Sequence, residues 1–248
     1  MIKNSFVLLE KIGQNTEKII WNSGIRTWDD FLQAKEIKKV NPLRKSFYDR
    51  QLIKAKQELA KYNSSYFTDK LNSGHHYRLY DHFKEDIRFL DIETSGFYGD
   101  ITVIGMYNGY DTKTLVRGKN LNRDTIKAAF GDSKLIITFN GASFDLPVIN
   151  RYFNGIIPNI PHIDLRHVCS KIGLTGGLKN IEKTLKIKRA DEVENMNGAD
   201  AVYLWQQYKS TGNENYLDLL VKYNEEDIIN LKQLAEYSIN KLWNQIKT

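Results

Sequence analysis

The sequence predicts an α/β protein in two parts: a small helical domain over residues 1–80, then a mixed five-stranded sheet flanked by helices over residues 81–248. Three observations lead there. Up to residue 80, apolar side chains recur every three or four positions, the helical period. From about Asp86 they gather into short runs separated by turns, the pattern of strands. The last 70 residues return to the helical period and supply helices to cover the sheet.

In the first part Phe6, Leu9, Ile12, Ile19, Ile20, Ile25, Trp28, Phe31 and Leu32 trace the helical spacing. Thr27 before Trp28-Asp29-Asp30 reads as an N-cap with acids in the first turn, where the helix dipole favours them. A longer helix is expected over 45–62, with Leu52, Ile53, Leu59 and Tyr62 inward and Lys54, Lys56 and Lys61 outward. The clusters Asn63-Ser-Ser65 and Asn72-Ser-Gly74 mark a linker. Strands are expected over 87–92, 101–107, 112–116 and 135–139. The first three form an antiparallel meander with a hairpin at Asn108-Gly109. A helix over 123–130 lets the fourth run parallel to the first. A short strand leading to Asp164 completes the sheet, and helices follow over 178–185, 198–208 and 216–243.

With 248 residues and 41% hydrophobic content there is material for a substantial core. No apolar run approaches the roughly 18 residues of a membrane helix. The opening ten residues hold only four consecutive apolar positions before a charge, so neither a signal peptide nor a membrane partner is expected, and an intracellular, cytoplasmic setting is. The single cysteine, Cys169, excludes an internal disulfide and a thiolate metal site, and its apolar surroundings suggest a small buried hydrophobe. Residues 1–80 carry 15 Lys+Arg against 8 Asp+Glu, whereas the remainder carries 21 against 22. The basic excess belongs to the N-terminal part and points to a polyanionic partner.

Three motifs carry the chemistry. In Phe89-Leu-Asp-Ile-Glu-Thr-Ser-Gly96, strand alternation puts Asp91 and Glu93 on one face and Leu90 and Ile92 on the other. Asp is depleted from strand interiors, so an acidic face there needs a reason. In Phe139-Asn-Gly-Ala-Ser-Phe-Asp145 an apolar strand ends and a helix begins, with Asp145 in its first turn. In Tyr223-Asn-Glu-Glu-Asp227 the helical spacing puts Tyr223 and Asp227 on the same side, while Glu225 and Glu226 read as a solvated face. Taken singly, each motif has a bland structural explanation: a solvated edge strand, a helix N-terminus or a charged surface. Oxygen-rich sets of this kind suit hard divalent cations, and paired cations held by carboxylates are a route to phosphodiester cleavage.

All three motifs, in this order, resemble those of the DEDD superfamily of 3′–5′ exonucleases on a ribonuclease H-like (DnaQ-like) fold, in its tyrosine-bearing DEDDy branch. Asn140-Gly-Ala-Ser-Phe-Asp-Leu-Pro-Val-Ile149 is similar to the second exonuclease motif of family B DNA polymerases, and small nucleases of the YprB type are closer in length. The resemblance covers roughly residues 86–234. It implies that Asp91, Glu93, Asp145 and Asp227 bind two divalent cations, Mg²⁺ or Mn²⁺, and that Tyr223 orients the attacking water. A phenol of ordinary pKa about 10 is a poor base near neutrality, which favours positioning over proton removal. Thr94, Phe97, Asn140 and Phe144 are candidate substrate contacts, with Phe97 placed to meet a terminal base. Asp164 reads as a helix cap or a support for the site, and His162 and His167 as structural.

In the N-terminal part, Leu9-Glu-Lys-Ile-Gly-Gln-Asn-Thr16 and Trp21-Asn-Ser-Gly-Ile25 resemble a helix–hairpin–helix element, which implies phosphate contact near Gly13 and Thr16. Glu10-Lys11 departs from the usual glycine pattern. Lys38, Lys39, Arg44 and Lys45, with Lys35 and Arg50 nearby, are the stronger candidates for backbone phosphates. The expected function is a metal-dependent 3′–5′ exonuclease acting on DNA or RNA that is single-stranded or has a free 3′ end. A structure-directed endonuclease and a nucleic-acid-binding module with little turnover are the alternatives.

Overall fold

The computed structural model describes residues 1–96 and 99–247. Its first part holds α1 (Gln14–Asn22), α2 (Trp28–Gln33), α3 (Pro42–Ala60), α4 (Ser65–Thr68) and α5 (Tyr80–Phe83), with a 3₁₀ stretch over Ser73–Leu79 between the last two. The sheet comprises β1 (Ile87–Thr94), β2 (Ile101–Tyr107), β3 (Thr112–Val116), β4 (Leu135–Thr138) and β5 (His162–Asp164). Between and after the strands run α6 (Arg123–Phe130), α7 (Asp145–Tyr152), α8 (Leu165–Lys171), α9 (Leu178–Leu185), α10 (Gly198–Thr211) and α11 (Glu214–Lys247).

The strand order is β3-β2-β1-β4-β5. The meander β1-β2-β3 is antiparallel, and β4 and β5 add to β1 in parallel, giving the expected mixed sheet. Asn108 closes the β2–β3 hairpin by accepting from the N–H groups of Tyr110 and Asp111 at 2.8 and 2.7 Å, with Gly109 at φ +97°. A register shift between Glu93 and Thr94 ends the regular pairing of β1.

Alternation sorts the side chains into layers. Leu90, Ile92, Ile104, Met106 and Ile136 face α6 and α7, where Ile126, Phe130 and Ile149 meet them. Ile87, Phe89, Leu135, Ile137 and Ile163 point to the opposite face, under α8 and the C-terminal half of α11. Val103 and Val116 extend that face under α10 and the N-terminal half of α11. By the same parity Asp91 and Glu93 look toward α11. That helix has 34 residues and so spans roughly 50 Å.

The N-terminal part shares its core with this second layer: Phe6, Ile20, Trp21 and Trp28 belong to one apolar cluster with Ile239, Leu242 and Trp243 of α11. Trp21 meets Trp243 edge to face at 5.9 Å between centroids. At the centre Glu17 and Arg78, both fully buried, form an ion pair at 2.7 Å. Glu17 also accepts from the N–H groups of Phe6 and Val7 and the hydroxyl of Ser5. Thr27 caps α2 in a reciprocal box with Asp30. Ahead of Gly13 a 3₁₀ stretch at Ile2–Asn4 gives way to turns, and Gly13 is the N-cap of α1.

Ile53 departs from the sequence expectation: it is 47% exposed, and the buried stripe of α3 is Tyr48, Leu52, Ala55 and Leu59. Ala55 takes the inward position at that turn, and at about 100° per residue Ile53 lies roughly 200° around the helix from it. Cys169 is buried and free of disulfides. Among the described residues no helix is long and apolar enough to cross a membrane.

Removing one partner of the Glu17–Arg78 pair leaves the other as a buried, uncompensated charge. Arg78→Met should cost about 3–5 kcal/mol in urea unfolding. A loss below about 1 kcal/mol would show that the pair does not tie α1 to the 3₁₀ stretch of Ser73–Leu79.

Candidate active site

The end of β1 and the middle of α11 build the site. Asp91, Glu93 and Asp227 each offer a carboxylate oxygen within 4.8 Å of the others. Glu93 and Asp227 are buried and Asp91 is half-buried. Gly105 pairs with Asp91 across the β1–β2 ladder, and this is where Asn224 of α11 drops onto the sheet. A Cβ at position 105 would overlap the Asn224 side chain. Asn224, wholly buried, donates from Nδ2 to Asp91 Oδ2 at 2.8 Å.

Asp145 opens α7 and is buried beside this group, outside the set of three. Its Oδ1 accepts the N–H of Ile92 at 3.0 Å, which ties α7 to β1 between the two acids of the first motif. The turn before it is pinned from behind. Asp164 caps α8 and also accepts from the N–H groups of Asn140 and Ala142, at 2.8 and 3.1 Å. It is both the cap and the support that the sequence offered as alternatives. Asn140 adopts φ +68° and its Oδ1 accepts from Arg166 at 2.7 Å. His162 serves as structure, with its Nε2 2.8 Å from Thr138 Oγ1.

Tyr223, buried, lines a cavity of about 300 Å³ together with Asp91, Asp227, Phe139, Lys179 and the starts of α9 and α10. Lys179 lies 4.6 Å from the Tyr223 ring centroid, and its buried ammonium has no hydrogen-bond partner among the described residues. A larger cavity, about 420 Å³, opens between residues 72–77 and α8 and holds none of the three clustered carboxylates.

Crowding dominates the electrostatics. Burial, then the neighbouring acids, pushes Asp91 and Glu93 well above the usual carboxylate range. Burial likewise raises Asp145, to about 7, against the opposing pull of its backbone hydrogen bonds. Asp227 is also raised by burial, with Arg189 opposing. The phenol of Tyr223 is driven up by burial and by Asp227, Glu93 and Asp91, so it stays neutral. Close oxygen donors whose charges repel one another fit a hard divalent cation, which would relieve that repulsion.

The remaining candidates stand elsewhere. Thr94 is half-buried and donates to Gly96 O at 2.9 Å. Phe144 packs into the apolar layer of α6 and α7, and Phe97 lies outside the described residues. Lys38, Lys39 and Arg44 are exposed, whereas Lys45 is engaged by Asp49 at 2.7 Å. Gly13 is exposed and Thr16 half-buried. Glu225 and Glu226 are not a solvated face: Glu225 accepts from the hydroxyls of Thr112 and Thr114 on β3, and Glu226 accepts from Ala190 N. α11 lies across β3 as well as β1, so Glu225 meets donors on β3, while Glu226 meets one in the segment between α9 and α10.

Sequence reasoning missed Asn224, Gly105, Lys179, Glu182 and Arg189. Arg189 donates to Asp227 Oδ1, and its Nε and Nη2 donate to Glu182 at 2.6 and 2.8 Å. Asn224 was within reach, since it lies inside the third motif three residues before Asp227.

A family model described as the RNase_H superfamily matches residues 88–239, more than half of the chain. The chain belongs to that superfamily, and its mixed five-stranded sheet with flanking helices is a ribonuclease H-like fold. Membership together with the acidic cluster points to a metal-dependent nucleic-acid hydrolase. Comparison with curated proteins and with solved structures found no match.

The raised carboxyl of Asp145 has a consequence for stability. Between its unfolded value near 4 and about 7 the folded protein binds the extra proton, so stability falls as pH rises through that window. In EDTA, Asp145→Asn should match wild type at pH 4 and exceed it by up to about 4 kcal/mol at pH 8. Parallel pH curves would contradict the assignment.

Proposed function

We propose that this protein is a 3′–5′ exonuclease of the DEDDy branch, hydrolysing phosphodiesters of DNA or RNA at a free 3′ end. The observation that carries the reading is the meeting of Asp91, Glu93 and Asp227 within 4.8 Å beside the cavity lined by Tyr223. Asp91, Glu93 and Asp227 would hold Mg²⁺ or Mn²⁺, with Asp145 adjoining through the oxygen that Ile92 does not use. Two such cations, when bound, would supply charge to the scissile phosphate and acidity to the attacking water.

The chain's own groups do the rest. Tyr223 stays a neutral phenol and orients the water by hydrogen bonding, because its raised pKa denies it the role of base. Lys179 brings an ammonium without an acceptor among the described residues to the cavity that Asp91 and Asp227 also line, where a non-bridging phosphate oxygen would satisfy it. A cavity of about 300 Å³ is the size of one small ligand. It favours a terminal nucleotide over a strand running through. Residues 1–80 are proposed as the holding domain, with exposed Lys38, Lys39 and Arg44 meeting the backbone of a single-stranded or frayed substrate.

Purified protein with Mn²⁺ or Mg²⁺ should shorten 5′-labelled DNA or RNA from the 3′ end and leave circular single strands intact. Asp91→Ala should lower the rate about 100-fold or more. Equal activity in EDTA or in that variant would defeat the nuclease reading, and cutting of circles would favour an endonuclease.

A further inference from the structure

Arg189 is held in an unusual position for a charged side chain. It is 3% exposed, and its guanidinium is shared between two buried carboxylates, Glu182 of α9 and Asp227 of α11. Only Asp227 belongs to the acidic cluster. Glu182, 2% exposed in this pair, takes two hydrogen bonds from Arg189 through Nε and Nη2. The third, to Asp227 Oδ1, comes from the same Nη2. Nη1 is buried without a partner among the described residues.

A buried ion pair contributes little stability compared with apolar packing of the same volume. Stability alone therefore gives no reason for this triad. Its place does. Asp227 is the clustered acid supplied by α11, and it faces Asp91 and Glu93 from the far side. In a protein without cations, repulsion would drive that carboxylate away or force it to take a proton. Arg189 opposes both. Because Glu182 already receives two hydrogen bonds, the guanidinium keeps a full partner when Asp227 turns to another cation. No charge is then stranded.

We propose that Arg189 is the resident counter-ion of the acidic cluster: it holds Asp227 in place until a divalent cation takes over, and Glu182 then retains the guanidinium. The proposal rests on the nuclease reading only in requiring that the cluster bind a divalent cation. It assigns Arg189 and Glu182 as positioning residues that set cation affinity, with no contact to substrate.

The two residues then shift affinity in opposite directions. Glu182→Gln leaves the full positive charge on Asp227, so a cation competes against a stronger rival. Arg189→Met combined with Glu182→Gln removes the rival at unchanged net charge. Mn²⁺ binding, followed by the EPR signal of free Mn²⁺ and by titration calorimetry, reads this without any turnover. We expect Glu182→Gln to bind Mn²⁺ about threefold or more weaker than wild type, and the double variant about threefold or more tighter. Mere structural damage would weaken both, and that result, or unchanged affinity in both, overturns the proposal. If the double variant folds only when Mn²⁺ is present, the counter-ion role is supported. If it folds in neither condition, Glu182→Gln decides alone, and wild-type or tighter affinity there overturns the idea. Wild-type protein that binds no Mn²⁺ sinks the nuclease reading as well. Wild-type binding without opposite shifts sinks only the counter-ion.

Discussion

Carboxylates packed side by side out of water are the most costly feature of this fold, and the surrounding structure is arranged to bear them. Each clustered acid has a compensating group drawn from a different element. Asn224 of α11 donates to Asp91, and the N–H of Ile92 on β1 donates to Asp145. Arg189 donates to Asp227, and the ammonium of Lys179 lowers the cost of charge on Glu93. None of the four acids is compensated by a neighbour in its own motif through a side chain. Their stability as a group is therefore a property of the assembled tertiary structure.

Placement of those compensating groups depends on α11 holding a fixed rotation and height above the sheet. One residue of slip along the helix would turn Tyr223 and Asp227 by about 100° away from β1. Two anchors prevent it. Leu217 and Leu220 are set among α10 and the β2–β3 side of the sheet, while Leu234, Ile239 and Trp243 are set among the N-terminal helices. Between the anchors Gly105 leaves the groove that admits Asn224. The Trp21–Trp243 contact and the Arg78 guanidinium over the Trp243 ring, 5.3 Å from its centroid, bring the N-terminal part into this framework. That part thereby helps fix the far end of the helix that carries Tyr223 and Asp227.

Much of this was legible in the sequence, and the limits are instructive. Strand parity alone places Asp91 and Glu93 on one face, and helical spacing alone puts Tyr223 and Asp227 together, because both periods are set by the backbone. Asn108-Gly109 gives the hairpin and Thr27 the cap, since these are local chemistry. Ile53 and Glu225 were misread for a different reason. Their environment is decided by which way a helix is turned against partners distant in the chain. Arg189, Lys179 and Gly105 were invisible on the same ground: 38 residues separate Arg189 from Asp227, and no local pattern couples them.

Asp145 differs from its three companions in a way that bears on how the site fills. One of its oxygens is already committed to Ile92, and its carboxyl rests near 7. Asp91 and Glu93 are raised as well, by burial first and then by Asp145 and Asp227. Near neutral pH the cation-free cluster therefore retains protons and carries less than its formal negative charge. A divalent cation has to displace those protons to obtain its ligands, so cation uptake and proton release are one event. The same protons that let the empty site fold make its cation affinity rise with pH. The burial that raises these carboxyls is thus also what couples the assembled fold to its metal.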